Sequence, residues 1–274
     1  MGRQQHIKGP AERLARHDRA VVLGAAGFVV LLSALYTIFG VGMEMSAVEM
    51  TRMARPVGEP MQMGGGTAWT PAYAALIFLM WWVMMIAMMT PSAAPVLLLF
   101  TAIKKAGSRP DQATLLSLLF LSGYLLAWAA FSITATALQW GLETIGLSNG
   151  PMMSLSSRTL AGALLLAAGA YQFTPYKHAC LSHCRMPVQF LTAHNRTGLA
   201  GALLMGAHHG TFCLGCCWAL MLLLFAGGIM NLYWIAGLAL YVLAEKHFAH
   251  GRLFTSVTGG LLILAGGYVL ATGL

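Results

Sequence analysis

Long apolar segments, separated by short blocks that carry nearly all of the charge, constrain the fold of this chain more than any other feature. Only 9% of the 274 residues are charged, whereas a soluble domain carries about a quarter. Seven segments reach the roughly 17–25 residues that a helix needs to cross a bilayer. The sequence therefore predicts an all-α, polytopic transmembrane helix bundle, with six spans if the fifth and sixth segments form one re-entrant unit. The predicted segments are 20–41, 72–100, 114–138, 158–175, 199–225, 229–245 and 253–272.

The positions of the Lys and Arg residues predict how the chain is oriented. With the N-terminus in the cytoplasm, thirteen of these residues lie in cytoplasmic segments and three lie outside. This bias predicts a multi-pass membrane protein with its N-terminus in the cytoplasm. It has a basic cytoplasmic segment, 1–19, and a single transmembrane domain, 20–274, whose first apolar segment is too long for a signal-peptide core. The net charge of +8 then reflects topology, and we expect no nucleic-acid partner.

Sulfur and imidazole side chains form one stripe along the fifth predicted segment. Residues four apart lie on the same face of a helix, so the spacing stacks them. Thiolate, thioether and imidazole groups are ligands of soft metals, Cu(I) above all, and ionisable groups within a membrane are commonly functional. The alternative is that these side chains are ordinary core packing. The candidate ligands are Met205, His209, Cys213, Cys217 and Met221, with His208 and Cys216 beside the stripe.

Three other groups of residues offer the same chemistry. The second predicted segment has a cluster of methionines ahead of Pro91 and Pro95, and prolines can open a helix towards a cavity. The outside loop, 42–71, is expected to be irregular and is rich in methionine, and the cytoplasmic loop, 176–198, carries Cys and His. Packing, or a loop without metal, is the alternative in each case. The residues are Met84, Met85, Met88 and Met89; Met43, Met45, Met50, Met53, Met61 and Met63; and Cys180, His183 and Cys184.

These groups together predict a protein that handles Cu(I), by capture, transfer, transport or delivery to a membrane partner, and that is not an enzyme. Zinc is the second candidate metal, no nucleotide-binding motif is present, and a copper chaperone or a copper-dependent membrane enzyme is the expected partner. The rival class is a transmembrane thiol–disulfide redox protein, because Cys213 and Cys216 have the Cys-x-x-Cys spacing and quinone could accept the electrons. Haem is disfavoured, since no second mid-membrane histidine lies on another segment.

Several short motifs resemble those of a bacterial family of predicted metal-binding integral membrane proteins, the domain of unknown function 2182. The resemblance covers about 75–250 and implies a metal-binding membrane protein, a type sometimes labelled a copper chaperone, in the bacterial cytoplasmic (inner) membrane. The motifs are Met-Met-x-x-Met-Met-x-Pro at 84–91, Tyr171-Gln through Lys177, Cys180, Cys184-Arg-x-Pro187, His209-Gly-x-x-Cys213-x-Gly-Cys216-Cys217-Trp-Ala-Leu-Met221, Gly228-x-Met230-Asn-Leu and Glu245-Lys246.

Overall fold

The protein is almost entirely helical. The structure, a computed structural model, describes residues 10–41, 43, 45–54, 57, 69–107, 110–149, 153–248 and 251–272, apart from the side chains of 10–19 and 251–252. The helices of this described part are α1 (Pro10–Phe39), α2 (Ala47–Arg52), α3 (Pro71–Lys105), α4 (Ala113–Thr144), α5 (Arg158–Tyr171), α6 (Pro175–Arg185), α7 (Pro187–Ala193), α8 (Gly198–Gly227), α9 (Leu232–His247) and α10 (Gly251–Ala271). A 3-10 turn, Pro110–Gln112, precedes α4, and a two-stranded antiparallel hairpin, β1 (Ser148–Asn149) and β2 (Ser154–Leu155), follows it.

The predicted helix class is confirmed, and each of the seven predicted segments corresponds to a helix. Five helices of the described chain are long and apolar enough to cross a membrane: α1, α3, α4, α8 and α10. The other two predicted spans, α5 and α9, are shorter, with 14 and 16 residues. The fifth and sixth predicted segments are separate helices, because α8 ends before Gly228, whose φ is +92°, and Asn231 caps α9. The number of spans remains a prediction.

The outer surface is apolar while the centre holds the polar groups, which is the arrangement expected in lipid. Large hydrophobic side chains such as Phe28, Ile133, Leu240 and Leu264 are more than half exposed. Buried polar and charged side chains include Lys177, Glu245 and Lys246. Among the span-length helices α8 is the most buried, and α10 is the least. The sulfur-rich helix is therefore the central helix of the bundle.

The two segments predicted as loops, 42–71 and 176–198, contain further helices. The segment 176–198 folds as α6 and α7, each of which begins at a proline, Pro175 and Pro187. The expectation of an irregular outside loop is wrong at α2, where Ser46 and Glu49 form a capping box. Met43, Met45 and Met53 pack against the core and Met50 is buried within it, whereas Met61 and Met63 lie outside the described residues.

Close contact between α4 and α8 positions the centre of the bundle. A Cβ atom at Gly206 would overlap the main-chain carbonyl of Phe120, and one at Gly123 would overlap the carbonyl of Leu203. Small residues let helix backbones approach closely in this way. The contact brings Tyr124 of α4 directly against the sulfur-rich face of α8.

Candidate metal centre

The predicted stripe of ligands is one buried face of α8. Its five members have exposed fractions of 2% or less. All lie within a continuous helix from Gly198 to Gly227, so the four-residue spacing does stack them. The members, in chain order, are Met205, His209, Cys213, Cys217 and Met221.

Four thiols from two helices gather at the middle of this face. Cys213, Cys216 and Cys217 of α8 are fully buried, and the thiols of Cys216 and Cys217 both donate to the Cys213 carbonyl, at 3.0 and 2.8 Å. Cys184 reaches them from α6 and interacts with the thiols of Cys213 and Cys216. We call these four residues the thiol cluster. It joins a residue of the predicted cytoplasmic segment to the predicted membrane site.

Cys213 has the most polar surroundings of the thiol cluster. Its Sγ atom lies 2.9 Å from Nζ of Lys246 and 3.1 Å from the hydroxyl of Tyr124. The same hydroxyl donates to the Met89 carbonyl of α3 at 3.0 Å. Since a hydroxyl has one proton to donate and can also accept, Tyr124 is able to accept a hydrogen bond from a Cys213 thiol. A lysine ammonium beside a cysteine favours the thiolate, which is the form that binds metals.

A buried ion pair ties three helices together beside the thiol cluster. Nζ of Lys177 lies 2.9 Å from a carboxylate oxygen of Glu245, and both side chains are fully buried. The same Nζ atom donates to the carbonyl of Cys216 at 3.0 Å. The Glu245 carboxylate also accepts from Tyr241 and Thr255, so it is fully engaged. The pair fixes α6 and α9 against the cysteine-bearing turn of α8.

The two cysteines of α6 differ in their surroundings. Interaction with Cys213 and Cys216, together with burial, raises the pKa of the Cys184 thiol well above its usual range. Partial burial, with a contribution from Cys216, raises the pKa of the Cys180 thiol. Cys180 is partly exposed, and its sulfur packs against Gly215, to one side of the thiol cluster. All five cysteines are free thiols, including the Cys213 and Cys216 pair of the redox hypothesis.

Other predicted ligands lie apart from the thiol cluster. His208 is exposed, and its ring lies 4.6 Å from that of His194. His183 stacks on Phe212 at 4.0 Å and lines a pocket with His194 and Met186. His183 and Cys184 are adjacent in sequence, but the His183 side chain lines this pocket and the Cys184 side chain joins the thiol cluster. The sulfur of Met205 accepts from the main-chain N–H of Arg196, at the start of α8.

His209 and the methionines of α3 lie closer to the centre. His209 is 2% exposed, and its ring lies between Phe120, Tyr124 and Phe190 at 5.0–6.0 Å. Its Nδ1 atom has no hydrogen-bond partner within the described residues, which costs about 1–3 kcal/mol for a buried polar group. The Nδ1 atom of His209 is therefore a free imidazole nitrogen in the described part of the chain. Met84, Met85, Met88 and Met89 are all buried, and Met89 contributes the carbonyl that Tyr124 contacts.

The side chains present suit a soft metal ion of low coordination number better than an ion that needs a preformed tetrahedral site. In the part of the chain that the structure describes, no three His, Cys, Asp or Glu side chains are arranged to hold one metal ion. Structural zinc takes four such ligands, so it finds no preformed site there. Pairs of thiols, with thioethers and an imidazole nearby, match the soft donors that select Cu(I).

Sequence reasoning did not identify the charged and hydroxyl groups that surround the sulfurs. Lys246 and Lys177 occur within the resemblance motifs but are not among the predicted ligands, and no motif includes Tyr124. A signal was available, because a charged residue at the end of an apolar segment is costly unless it has a partner. That signal does not indicate which group each lysine contacts: the Glu245 carboxylate for Lys177 and the Cys213 sulfur for Lys246.

Comparison with known proteins points to the same chemistry. The family model PpoB2, described as a copper chaperone, matches residues 78–269, more than half of the chain, and that range includes the whole thiol cluster. No curated protein and no solved structure shows a significant match. The apolar helices and the family match together support a membrane protein that interacts with copper. The chain belongs to the copper chaperone family.

Proposed function

We propose that the protein binds Cu(I) as cargo at the thiol cluster and delivers it to a partner in or at the membrane. Burial of four thiols together, with a lysine ammonium at 2.9 Å from the sulfur of Cys213, is the observation that carries this proposal. Copper chaperone membership supplies the metal. The described helices supply a lipid-facing shell around it.

Cys213 and Cys184 are the proposed ligand pair. They come from different helices, so a small movement of α6 relative to α8 opens or closes the site. Cu(I) is stable with two thiolate ligands, and Cys216, Cys217 and His209 stand close enough to accept it by ligand exchange. Low-coordinate sulfur sites release Cu(I) to another sulfur ligand without leaving it free. That property suits a chaperone, which must bind and then give up the metal.

The membrane setting of the proposal follows the charge distribution. We infer seven spans in the bacterial inner membrane with the N-terminus in the cytoplasm, so that α6 and α7 lie on the cytoplasmic side. The start of α8 then faces the cytoplasm, and the methionine-rich segment 42–71 lies outside. Copper could be exchanged at either side, and α6 provides the nearer approach to Cys213.

The amount of copper bound per chain tests the proposal directly. The full-length protein, purified in detergent under reducing conditions and loaded with Cu(I), should retain about one tightly bound copper ion per chain. The double variant Cys184→Ser/Cys213→Ser should lose this ion, because a hydroxyl does not replace a thiolate for Cu(I), with affinity falling more than about 100-fold. Competition with a chromophoric Cu(I) chelator gives the affinity.

Cys180→Ser is the matched control, since Cys180 lies on the same helix as Cys184 but outside the thiol cluster. It should keep the copper of the wild-type protein. If the double variant holds as much copper as the wild type, the thiol cluster is not the site. If the wild type holds none and instead forms a Cys213–Cys216 disulfide that reacts with quinone, the redox hypothesis replaces this one.

A further inference from the structure

Lys246 is a buried cation whose partners are a sulfur and a hydroxyl. Its side chain is 7% exposed, and Nζ donates to Cys213 Sγ and to Ser92 Oγ, both at 2.9 Å. A buried ammonium normally has an anionic partner, because an uncompensated charge in a low-dielectric interior is costly. Of the two groups that Nζ of Lys246 contacts, a thiol and a hydroxyl, the thiol of Cys213 is the one that can become an anion near neutral pH.

The neighbouring carboxylate does not meet this requirement. Glu245, the preceding residue, forms its ion pair with Lys177 and accepts further hydrogen bonds from Tyr241 and Thr255. Lys177 and Glu245 cancel each other, so Lys246 leaves one positive charge among these three buried residues. Arg185 is only part-buried and donates to the main-chain carbonyl of Glu245, where water can screen its charge.

We propose that the fixed charge of Lys246 makes the thiol cluster select a monovalent over a divalent metal ion. This inference rests on the proposed function and names a specificity-determining residue for it. Two thiolates and Cu(I) form a complex with one negative charge, which Lys246 neutralises. The same two thiolates with Zn(II) are neutral, so Lys246 would leave one uncompensated positive charge in the interior.

Binding of Cu(I) at this site changes no oxidation state, and the charges balance. Metal–sulfur bonds form to two sulfurs, and each sulfur that was a thiol releases its proton to water. In the bound state, two thiolates, Cu(I) and Lys246 together carry no net charge, whichever sulfur was ionised before the metal arrived. The softness of the ligands alone discriminates less between Cu(I) and Zn(II), because thiolates are ligands of both ions.

Removing the charge at Lys246 tests the proposal. Dissociation constants for Cu(I), for Ag(I) as a redox-stable monovalent probe, and for Zn(II) should be measured by competition on full-length wild type and Lys246→Leu in detergent. We expect both monovalent ions to bind more weakly in the variant and Zn(II) to bind more tightly. The ratio of monovalent to divalent affinity should fall about 100-fold, since a unit charge a few ångströms away acts strongly in the interior.

Opposite changes for the two classes of ion distinguish a charge effect from damage. A purely structural role for Lys246 would weaken all three ions by a similar factor, and that result would overturn the proposal. Lys246→Arg, which keeps the charge, should restore the wild-type ratio. Should Lys246→Leu not fold, Lys246→Gln, which keeps a hydrogen-bond donor for Ser92 without the charge, tests the same change in the affinity ratio. A wild type that binds neither Cu(I) nor Ag(I) would refute the proposed function; equal ratios in copper-binding wild type and variant refute only this inference.

Discussion

Replacing Glu245 by Gln should lower the free energy of unfolding by about 3–5 kcal/mol, the cost of leaving one member of a buried ion pair alone. Lys177 would keep its charge inside the bundle with the Cys216 carbonyl as its remaining acceptor. That carbonyl belongs to the turn that carries the thiol cluster. The variant should therefore also bind Cu(I) more weakly, although Glu245 touches no sulfur.

A second substitution separates charge from packing. The double variant Lys177→Met/Glu245→Gln removes both charges, and buried ion pairs replaced by uncharged groups of similar size are often no less stable. We expect it to recover most of the stability lost in Glu245→Gln. Unfolding by a denaturing detergent in mixed micelles, followed by tryptophan fluorescence, gives the comparison.

Glu49→Gln is the control for this series. Glu49 is exposed and its carboxylate accepts from the main-chain N–H of Ser46 at the start of α2, so its loss should destabilise the protein far less than Glu245→Gln does. If the double variant is as unstable as the sum of Glu245→Gln and Lys177→Met, the two side chains are not energetically coupled. The ion pair would then be incidental to the fold.

The helices were predictable because lipid imposes a simple rule on sequence. A segment that crosses a bilayer must be long, apolar and internally hydrogen-bonded, and α3 and α8 satisfy that rule over their whole length. The α8 stripe was equally accessible, since four-residue spacing on a helix is local geometry. Its metal-binding role is still a prediction, because buried sulfurs also pack well.

Contacts between distant segments were not predictable from local pattern. Cys180 and Cys184 looked equivalent in sequence, but only Cys184 faces Cys213, because α6 lies against α8 with that side inward. The helical fold of α6 and α7 also depends on tertiary packing, since helices of 11 and 7 residues are marginally stable alone. Lys246 could be identified as costly, but its partner across the bundle could not.

Glycine spacing gave a partial prediction of packing. Small residues let helix backbones approach closely, so glycines in the fifth and seventh predicted segments predict packing faces. Gly206 and Gly266 do contact neighbouring backbones. Gly260 and Gly267 do not, because nothing lies within 4 Å of the position of their missing Cβ atoms. A small residue permits close approach but does not tell which of several glycines a neighbouring helix uses.

Substituting Gly206 should therefore have one of the largest effects in the molecule. In Gly206→Val the new side chain overlaps the main-chain carbonyl of Phe120, and a backbone cannot yield as a flexible side chain can. We expect α4 and α8 to move apart and unfolding free energy to fall by about 3 kcal/mol or more, the upper end for overpacking. Tyr124, one turn along α4 from Phe120, would lose its contact with Cys213, so Cu(I) affinity should fall too.

Gly141→Ala provides the matched comparison on α4, because its missing Cβ faces open space. Alanine favours a helix over glycine by up to about 1 kcal/mol, so this variant should be as stable as wild type or more stable. Gly123→Ala should resemble Gly206→Val in direction, since it opposes the Leu203 carbonyl at the same interface. Wild-type stability and copper affinity in Gly206→Val would mean that α4 and α8 are farther apart than described. Tyr124 would then not contact Cys213, and the thiol cluster would lack that polar neighbour.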